Sequence, residues 1–505
     1  MRAASYSAVQ RGKGGGAAQQ GKGGLGLAAM TTTLPQGLAA LEARLADGLA
    51  RLQEPARGWV PPTVAPDGEI ALDVAVLGAG MAGLAAGLAL KREGVVRIAL
   101  FDPAPEGCEG PWATTARMLT LRSPKQLAGP ALALPDLTFR AWFEVQHGAV
   151  AWEELGKIPN GMWMAYLRWY RRVAALDVRN GTGIARIEPE GALFRLALSD
   201  GGTAWARHVV LATGRDGLGG PRILPGFEPA WRGLLWAHSA DAVDFAALAG
   251  RRVIVVGAGA SAFDNAAAAL EAGCAEMTML VRRAALPRVN SSKALDSRGH
   301  WHGWFDLPAA WRWRIMLAVE RRQTPPPHES VRRIARHPHA RIVFGAGVEE
   351  VLRKDNRLQL TTSRGAFEAE FIILGTGFVH DLSLRPELAA VAGDIRLWRD
   401  AYTPPPPERD EGLAASPWLD RAFAFTPRAE GAASHLARLH CFNYAATLSH
   451  GKLTGDIPGI SAGAQRLARG ICARLFVADI EAHAARHAAF DEPEITGEEW
   501  PGVTL

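Results

Sequence analysis

The sequence predicts an α/β protein with two Rossmann-like domains, each a doubly wound, three-layer unit around a mostly parallel sheet. The first observation is the short apolar strand Asp73–Leu77, which runs directly into Gly78-Ala-Gly80-Met-Ala-Gly83 and an Ala- and Leu-rich helix. The second is that the same order recurs where Val253–Val256 runs into Gly257-Ala-Gly259-Ala-Ser261-Ala262. A buried strand, a glycine-rich turn and a helix in direct succession are typical of a dinucleotide-binding unit.

The first glycine turn has the residues that a pyrophosphate site requires. Gly78 allows the tight turn, Gly80 lets the backbone approach a pyrophosphate, and Gly83 lets helix and strand pack closely. The predicted helix runs to about Lys91, and its N-terminal N–H groups and dipole favour a bound phosphate. The next strand ends on Asp102, roughly 20 residues beyond the turn, where an acid accepts hydrogen bonds from ribose hydroxyls.

Two later strands end on small residues. The strand Val209–Leu211 closes on Ala212-Thr213-Gly214, and a strand ending at Leu374 closes on Gly375-Thr376-Gly377. Small side chains leave room for a cofactor, and glycine permits a tight exit from the strand. Each segment is therefore predicted to return to its fold and cover the dinucleotide bound there.

The second glycine turn is followed by basic residues instead of an acid. Its helix begins near Ser261, and the next strand ends on Arg282 and Arg283. An acid at this point selects the ribose 2′-hydroxyl of NAD, whereas arginine matches a 2′-phosphate. We therefore expect NADPH at the second site and FAD at the first. Ala262 replaces the third glycine, a change that the motif tolerates.

The predicted domain order places the NADPH domain inside a discontinuous FAD domain. A disordered leader and an N-terminal helix are predicted for residues 1–69, and an exposed tail for residues 486–505. The FAD-binding domain has a first part at 70–245 and a second part, with a C-terminal helix, at 385–485. The NAD(P)H-binding domain lies between them at 246–384 and contains a Trp-rich insertion at about 286–330.

Composition argues against several other classes of protein. The chain has 505 residues, 48% hydrophobic and 21% charged, with a net charge of +5, and its basic residues form no dense run that would indicate nucleic-acid binding. No apolar run reaches membrane-spanning length, and no signal peptide is recognised. The four cysteines form no CxxC, so we expect neither a redox dithiol nor a metal site, and their use suits the cytoplasm. The sequence leaves open whether the protein forms a homo-oligomer.

Three further segments are candidates for the site. Trp112 lies in a Gly-, Pro- and aromatic-rich stretch that either lines the flavin ring or packs as an ordinary loop. The Trp-rich insertion is either a cap packed on its domain or a substrate wall to which Asn290 contributes. Gly455 and Asp456 lie in a glycine-rich turn before the C-terminal helix, which suits the pyrimidine end of a flavin.

With these residues the chain resembles the class B flavin monooxygenases, which include the flavin-containing monooxygenases, the Baeyer–Villiger monooxygenases and the ornithine/lysine N-hydroxylases. The resemblance covers roughly residues 70 to 480 and rests on GAGMAG with Asp102, VLATG at 210–214, GAGASA with Arg282, and ILGTGF at 373–378. WRGLLWAHS at 231–239 looks like the FxGxxxH signature, with Trp for Phe and one extra residue, which weakens a Baeyer–Villiger assignment. SHG at 449–451 is similar to the THG segment of the N-hydroxylases.

The resemblance implies an NADPH-dependent FAD monooxygenase that forms a C4a-(hydro)peroxyflavin. It would insert one oxygen atom from O2 into a small polar, nitrogen-containing substrate. Hydroxylation of a heterocycle such as urate, Baeyer–Villiger oxidation, and a flavin NADPH oxidase or reductase are the alternatives. His238 and Asn290 are the candidate catalytic residues. His238 would position NADP+ or couple domain motion, or it is a structural histidine.

Overall fold

The computed structural model describes residues 37–295, 297–495 and Glu499. The predicted disordered leader, from residue 1 to about residue 30, and residues 496–498 and 500–505 of the predicted tail lie outside them. Among the described residues, no helix is both long and apolar enough to cross a membrane.

The helices and strands follow in chain order. The strands are β1 Leu72–Leu77, β2 Ile98–Asp102, β3 Asp177–Asn180, β4 Ile184–Glu190, β5 Leu193–Leu198, β6 Thr203–Leu211, β7 Gly219–Pro221, β8 Trp236–His238, β9 Arg252–Val256, β10 Glu276–Val281, β11 Ala340–Phe344, β12 Val348–Lys354, β13 Arg357–Thr362, β14 Gly365–Ala369, β15 Phe371–Leu374, β16 Phe378–His380 and β17 Leu439–Cys441. The helices are α1 Leu38–Arg51, α2 Met81–Arg92, α3 Phe139–Glu154, α4 Asn160–Ala174, α5 Ala260–Glu271, α6 Arg298–Gly303, α7 Ala309–Arg322, α8 His328–Ala335, α9 Trp398–Ala401, α10 Glu411–Ala414, α11 Thr447–His450, α12 Ile460–Ala478 and α13 Ile480–Ala488.

The first sheet has the strand order β3-β2-β1-β6-β5-β4, and β17 also pairs with β6. The long strand β6 has two partners on one edge. Residues 203–206 pair antiparallel with β5, and residues 209–211 pair parallel with β17. Because β1, β2, β3, β6 and β17 run parallel, their carboxyl ends share one edge, where the glycine turn after β1 also lies. The C-terminal part of the chain thus returns to this sheet.

The second sheet is parallel throughout, with the order β11-β10-β9-β15-β8. It includes β8, so it begins before residue 246, the predicted boundary of this domain. Val253 and Val255 pack against Phe263 of α5 on one face. Ile254 and Val256 face the other way, into a core shared with the antiparallel strands β12 to β14. The α/β class is confirmed, but one outer layer of this domain is a small sheet instead of helices.

The two connections between the sheets lie side by side. β7 leaves the first sheet, β16 returns from the second, and the two pair antiparallel. The approach is close at Gly219, where a Cβ atom would lie 1.8 Å from the backbone oxygen of Val379. The paired connections therefore tie the two nucleotide folds together at this point.

The Trp-rich insertion forms the helices α6, α7 and α8 and has a core of its own. Trp304 and Trp313 are buried with Trp398 and Leu448 from the C-terminal part of the chain. The indole nitrogen of Trp313 donates to the Glu408 backbone oxygen at 2.8 Å. Two of the four tryptophans of the insertion thus have a packing role, one of the two interpretations that the sequence left open.

Candidate active site and its relatives

The glycines of the first turn are required by close backbone contacts. Gly78 has φ +99°, and a Cβ atom there would lie 2.6 Å from the Ala212 backbone oxygen. A Cβ atom at Gly83 would lie 1.9 Å from the Gly78 oxygen. Side chains are therefore excluded at both positions by the fold itself.

Gly80 differs, because it faces open space. A Cβ atom there would meet nothing closer than the Gly110 Cα atom at 3.6 Å, and no side chain caps the helix α2 that follows. A partly open cleft adjoins Gly80. It is lined by Ala79, Gly80, Leu84, Glu106, Gly107, Glu109, Met164, Leu167, Arg168 and Arg171. Arg171 is paired with Glu109, so the uncapped N–H groups of α2 are the feature of this cleft that fits the diphosphate of FAD.

Asp102 is buried at the end of β2. One carboxylate oxygen accepts from the Ala79 backbone N–H at 2.8 Å, and the other accepts from the Ala104 N–H at 2.9 Å. These bonds fix the glycine turn relative to β2. Each oxygen keeps a second acceptor position, so Asp102 can still receive a ribose hydroxyl.

Thr213 and Gly214 join the first sheet to the C-terminal part of the chain. The Asn443 amide nitrogen donates to the Thr213 hydroxyl oxygen at 3.1 Å, and the Tyr444 N–H donates to the Gly214 oxygen at 3.1 Å. Trp112 lies near the glycine turn, where its ring centre is 6.3 Å from that of Trp163. This placement suits a residue at the edge of the FAD site.

The second turn explains why alanine replaces the third glycine of the motif. A Cβ atom at Gly257 would lie 2.3 Å from the Gly375 oxygen, and one at Gly375 would lie 2.5 Å from the Ala262 Cβ atom. Because Gly375 has no side chain, there is room for the methyl group of Ala262. Gly259 has no atom within 4 Å of a built Cβ, and Ser261 is exposed at the uncapped start of α5. These features fit a second diphosphate.

The two arginines after β10 have different surroundings. Arg282 is exposed, whereas the Arg283 guanidinium donates to the Arg321 backbone oxygen at 3.1 Å. Arg364, which the sequence did not suggest, lies beside Gly345, where a built Cβ would be 3.0 Å from Nη2. Gly345 itself donates to the Arg283 oxygen at 2.9 Å. The basic end of β10 therefore includes a third cation.

His238 is buried at the end of β8, and both ring nitrogens are bonded. The Ala240 N–H donates to Nδ1 at 3.1 Å, so the ring proton is on Nε2, which donates to the Gly377 oxygen at 3.0 Å. Burial lowers the pKa of His238, although the Asp241 carboxylate opposes this. The Thr376 hydroxyl bonds the Arg222 oxygen. A neutral His238 that holds the closing turn suits a positioning role.

The remaining predicted residues lie in local turns. The Asn290 side-chain oxygen accepts from the Ser292 N–H at 3.2 Å and so begins the short helical turn Ser291–Leu295. Gly455 is exposed before α12, and the Asp456 carboxylate is 3.6 Å from the Lys452 ammonium. Gly455 and Asp456 thus lie in the loop before Gly459, the residue that precedes α12, and no side chain caps that helix.

The SHG segment has a packing role. Ser449 accepts from the Trp398 indole N–H at 3.1 Å, and the His450 Nε2 bonds the Asp420 oxygen at 2.9 Å. His450 also stacks on Phe423, with ring centres 3.9 Å apart. The Arg312 guanidinium of the insertion donates to the Ser449 backbone oxygen at 3.2 Å, so the segment that resembles the N-hydroxylases joins the insertion to the C-terminal part of the chain.

A buried carboxylate that the sequence did not suggest joins the two domains. Asp264 of α5 accepts from the Ser330 hydroxyl at 2.5 Å and from the Arg122 guanidinium at 2.9 Å. Arg122 thus reaches from the loop after β2 to the second domain. Arg333 of α8 also donates to the Arg117 oxygen at 3.2 Å. These contacts fix the loop after β2 against α5 and α8.

Comparison with known families matches residues 72–396 to the pyridine nucleotide-disulphide oxidoreductase family. The chain belongs to this family. The oxidoreductase is 41% identical over 459 residues to the FAD-dependent urate hydroxylase of Xanthomonas campestris pv. campestris, covering 90% of this chain and 96% of that protein. The predicted membership of the flavin-dependent monooxygenases, with FAD as a cofactor, is confirmed.

Solved structures share the fold of this oxidoreductase at low identity. The ornithine hydroxylase of Pseudomonas aeruginosa matches with a TM-score of 0.61 and 17% identity, covering 80% of this chain and 100% of that one. The L-lysine 6-monooxygenase of Pseudomonas syringae matches with a TM-score of 0.61 and 19% identity, covering 81% and 99%. These likenesses show the Rossmann-like dinucleotide-binding fold.

Three of the four cysteines of this oxidoreductase are buried or partly buried thiols with raised pKa values. Burial raises the pKa of Cys274 to about 11 and that of Cys472 to about 12. Burial also raises the pKa of Cys441. Because the thiolate is the nucleophile in disulphide exchange, Cys274, Cys441 and Cys472 are poorly suited to it.

Proposed function

We propose that this protein hydroxylates urate, with NADPH as the electron donor and O2 as the oxygen source. The observation that carries the proposal is the 41% identity to a urate hydroxylase over 90% of the chain. The N-hydroxylase likenesses are weaker, at 17% and 19% identity. Among the sequence alternatives, heterocycle hydroxylation is therefore favoured over oxidation of an amine. The cysteine usage supports a cytoplasmic location.

The chain's own contribution would be binding, orientation and exclusion of water. FAD, when bound, supplies the redox chemistry that links NADPH to O2. Gly80 and α2 would hold its diphosphate, and Gly259 and α5 would hold that of NADPH. His238 would keep the turn at Gly377 in place, so that the nicotinamide end of NADPH is oriented.

The test is a substrate panel with the purified flavoprotein. NADPH oxidation is measured in air with urate, L-ornithine or L-lysine, and consumption of each compound is measured in the same reactions. We expect urate alone to accelerate NADPH oxidation and to be consumed. Acceleration and consumption with ornithine or lysine, and none with urate, would contradict the proposal in favour of N-hydroxylation.

A further inference from the structure

A group of polar side chains lies where the two nucleotide folds and the insertion meet. Its members come from separate segments of the chain and interact electrostatically with one another. This junction cluster comprises Arg215, Arg222, Glu320, Tyr444 and Lys452. None of them is among the residues that the sequence suggested.

Arg215 and Tyr444 anchor the cluster to the first fold. Arg215 directly follows the closing turn of β6, and its guanidinium carbon lies 4.4 Å from the centre of the Tyr444 ring. A Cβ atom at Gly455 would lie 3.7 Å from the same ring. Tyr444 is therefore between the exit of β6 and the glycine turn before α12.

Arg222 connects the cluster to the second fold. Its backbone N–H donates to the Gly377 oxygen at 2.8 Å, and its oxygen accepts from the Thr376 hydroxyl. Gly377 also receives the bond from His238. The cluster thus borders the closing turns of both nucleotide folds, between which a flavin and a nicotinamide must meet.

Glu320 of α7 faces these cations from the insertion. It is half-buried, and burial together with the Asp410 carboxylate raises its pKa, while Arg215, Arg222 and Lys452 oppose that rise. Asp410 is engaged elsewhere, because it accepts from the Leu413 N–H at 2.9 Å at the start of α10. The Lys452 ammonium lies 3.6 Å from Asp456. The charges of Arg215, Arg222 and Lys452 therefore all act on the Glu320 carboxylate.

We propose that the junction cluster binds the substrate as a planar anionic heterocycle, with Arg215 and Lys452 on its negative oxygens and Glu320 on a ring N–H. Arginine suits this role because its planar guanidinium offers paired donors while it stacks on an aromatic ring. A carboxylate opposite the cations gives the acceptor that N–H groups of a purine ring require. The proposal rests on the proposed function and assigns residues to its substrate.

The test compares Arg215→Met, Arg215→Lys and the control Arg353→Met. Arg353 also lies over an aromatic ring, 5.8 Å from the centre of Trp231, but on β12. In Arg215→Met we expect the KM for urate to rise about 10- to 100-fold, the loss of one charged hydrogen bond. Flavin content, kcat and the KM for NADPH should stay near the wild-type values. Arg215→Lys should recover part of the affinity, and Arg353→Met should match the wild type.

Glu320→Gln is the second variant, with an expected rise in the KM for urate and an unchanged KM for NADPH. If the wild type turns over urate and neither Arg215→Met nor Glu320→Gln changes the KM for urate, the cluster assignment is overturned and the proposed function stands. A rise in the KM for NADPH alone, or loss of flavin, also overturns it, because the cluster then contacts a cofactor. If the wild type does not turn over urate, both proposals fail.

Discussion

Gly80 is the residue at which cofactor binding can be separated from folding. Because a methyl group there meets only Gly110, at 3.6 Å, Gly80→Ala should fold and yet obstruct the diphosphate. We expect FAD affinity to fall about tenfold, which corresponds to roughly 1.4 kcal/mol. The measurement is FAD binding to the apoprotein.

The matched control is Gly393→Ala, because a Cβ atom at Gly393 has no neighbour within 4 Å and the residue lies outside both turns. It should bind FAD as the wild type does. Wild-type affinity in Gly80→Ala would mean that the first turn does not hold the diphosphate.

Arg282 is the freer of the two arginines after β10, since Arg283 is bonded to Arg321. Arg282→Ala should raise the KM for NADPH about tenfold and leave the KM for NADH nearly unchanged, because only NADPH carries the 2′-phosphate. Steady-state kinetics with both nucleotides measures this. Equal effects on the two nucleotides would refute the assignment of a 2′-phosphate site at Arg282.

Among single residues, the sequence predicts those that must be small because of the conformation of the chain within a few positions. Gly78 and Gly83 are such residues, because the turn between β1 and α2 is local. Arg215, Glu320 and Tyr444 could not be predicted in the same way. They meet only after the insertion has folded against the C-terminal part of the chain, and no short motif records that contact.

Helices α5 and α8 are held against the first domain by the carboxylate of Asp264. Asp264→Asn removes a buried charge that receives bonds from Arg122 and Ser330. The free energy of unfolding should fall by about 1–3 kcal/mol, as expected for hydrogen bonds to a buried charged group. Urea denaturation measures the change.

The control for Asp264→Asn is Glu188→Gln, which removes a pair with Arg195 whose side chains are 35% and 40% exposed. Exposed pairs contribute about 0–1 kcal/mol, so the control should lose little stability. If both variants lose the same amount, the domain contact at Asp264 adds nothing beyond a surface ion pair.

Strands β6 and β17 bring two histidines together. Nδ1 of His208 lies 3.1 Å from Nε2 of His440, whose Nδ1 bonds the Ala422 oxygen at 2.9 Å. Burial lowers the pKa of His440 from 6.5 to about 4, helped by the Arg474 charge. As the pH falls, His440 is therefore protonated in the unfolded chain before it is protonated in the folded protein. Stability should be complete above pH 6.5 and decrease toward pH 4.

His440→Asn should be less stable than the wild type at neutral pH. As the pH falls, it should lose less additional stability than the wild type loses, because the buried imidazole is gone. Urea midpoints across this pH range test the pair. A decline in His440→Asn as steep as that of the wild type would assign the acid sensitivity to other groups.

The presence of a helix or strand could be predicted well where its sequence pattern is local, and its boundaries could be predicted less well. The helical spacing of apolar residues in the sequence predicts α1 from Leu38 and α4 from near Asn160, where the two helices begin. The sequence also predicts a strand from Gly183 to Leu196, but the chain forms β4 and β5 there, because Gly191 adopts φ +56° and turns the chain. The predicted C-terminal helix likewise divides into α12 and α13 at Asp479. Such interruptions depend on tertiary packing more than on hydrophobic periodicity.

For the whole molecule, the two repeated turns predict the α/β class and its two mostly parallel sheets. They do not predict that β12 to β14 cover one face of the second sheet, because an alternating strand pattern does not specify which surface it packs on. The small core around Trp304 and Trp313 also needs Trp398 and Leu448, which lie far along the chain. Its partners could be known only from the folded molecule.

The central claim, that the protein transfers one oxygen atom from O2 to urate, is tested most directly with isotopically labelled O2. The flavoprotein is turned over with NADPH and urate, and the product and any hydrogen peroxide are analysed by mass spectrometry. We predict one labelled oxygen atom in each product molecule and little peroxide. Unchanged urate, with all of the label in peroxide, would contradict the account and indicate an NADPH oxidase.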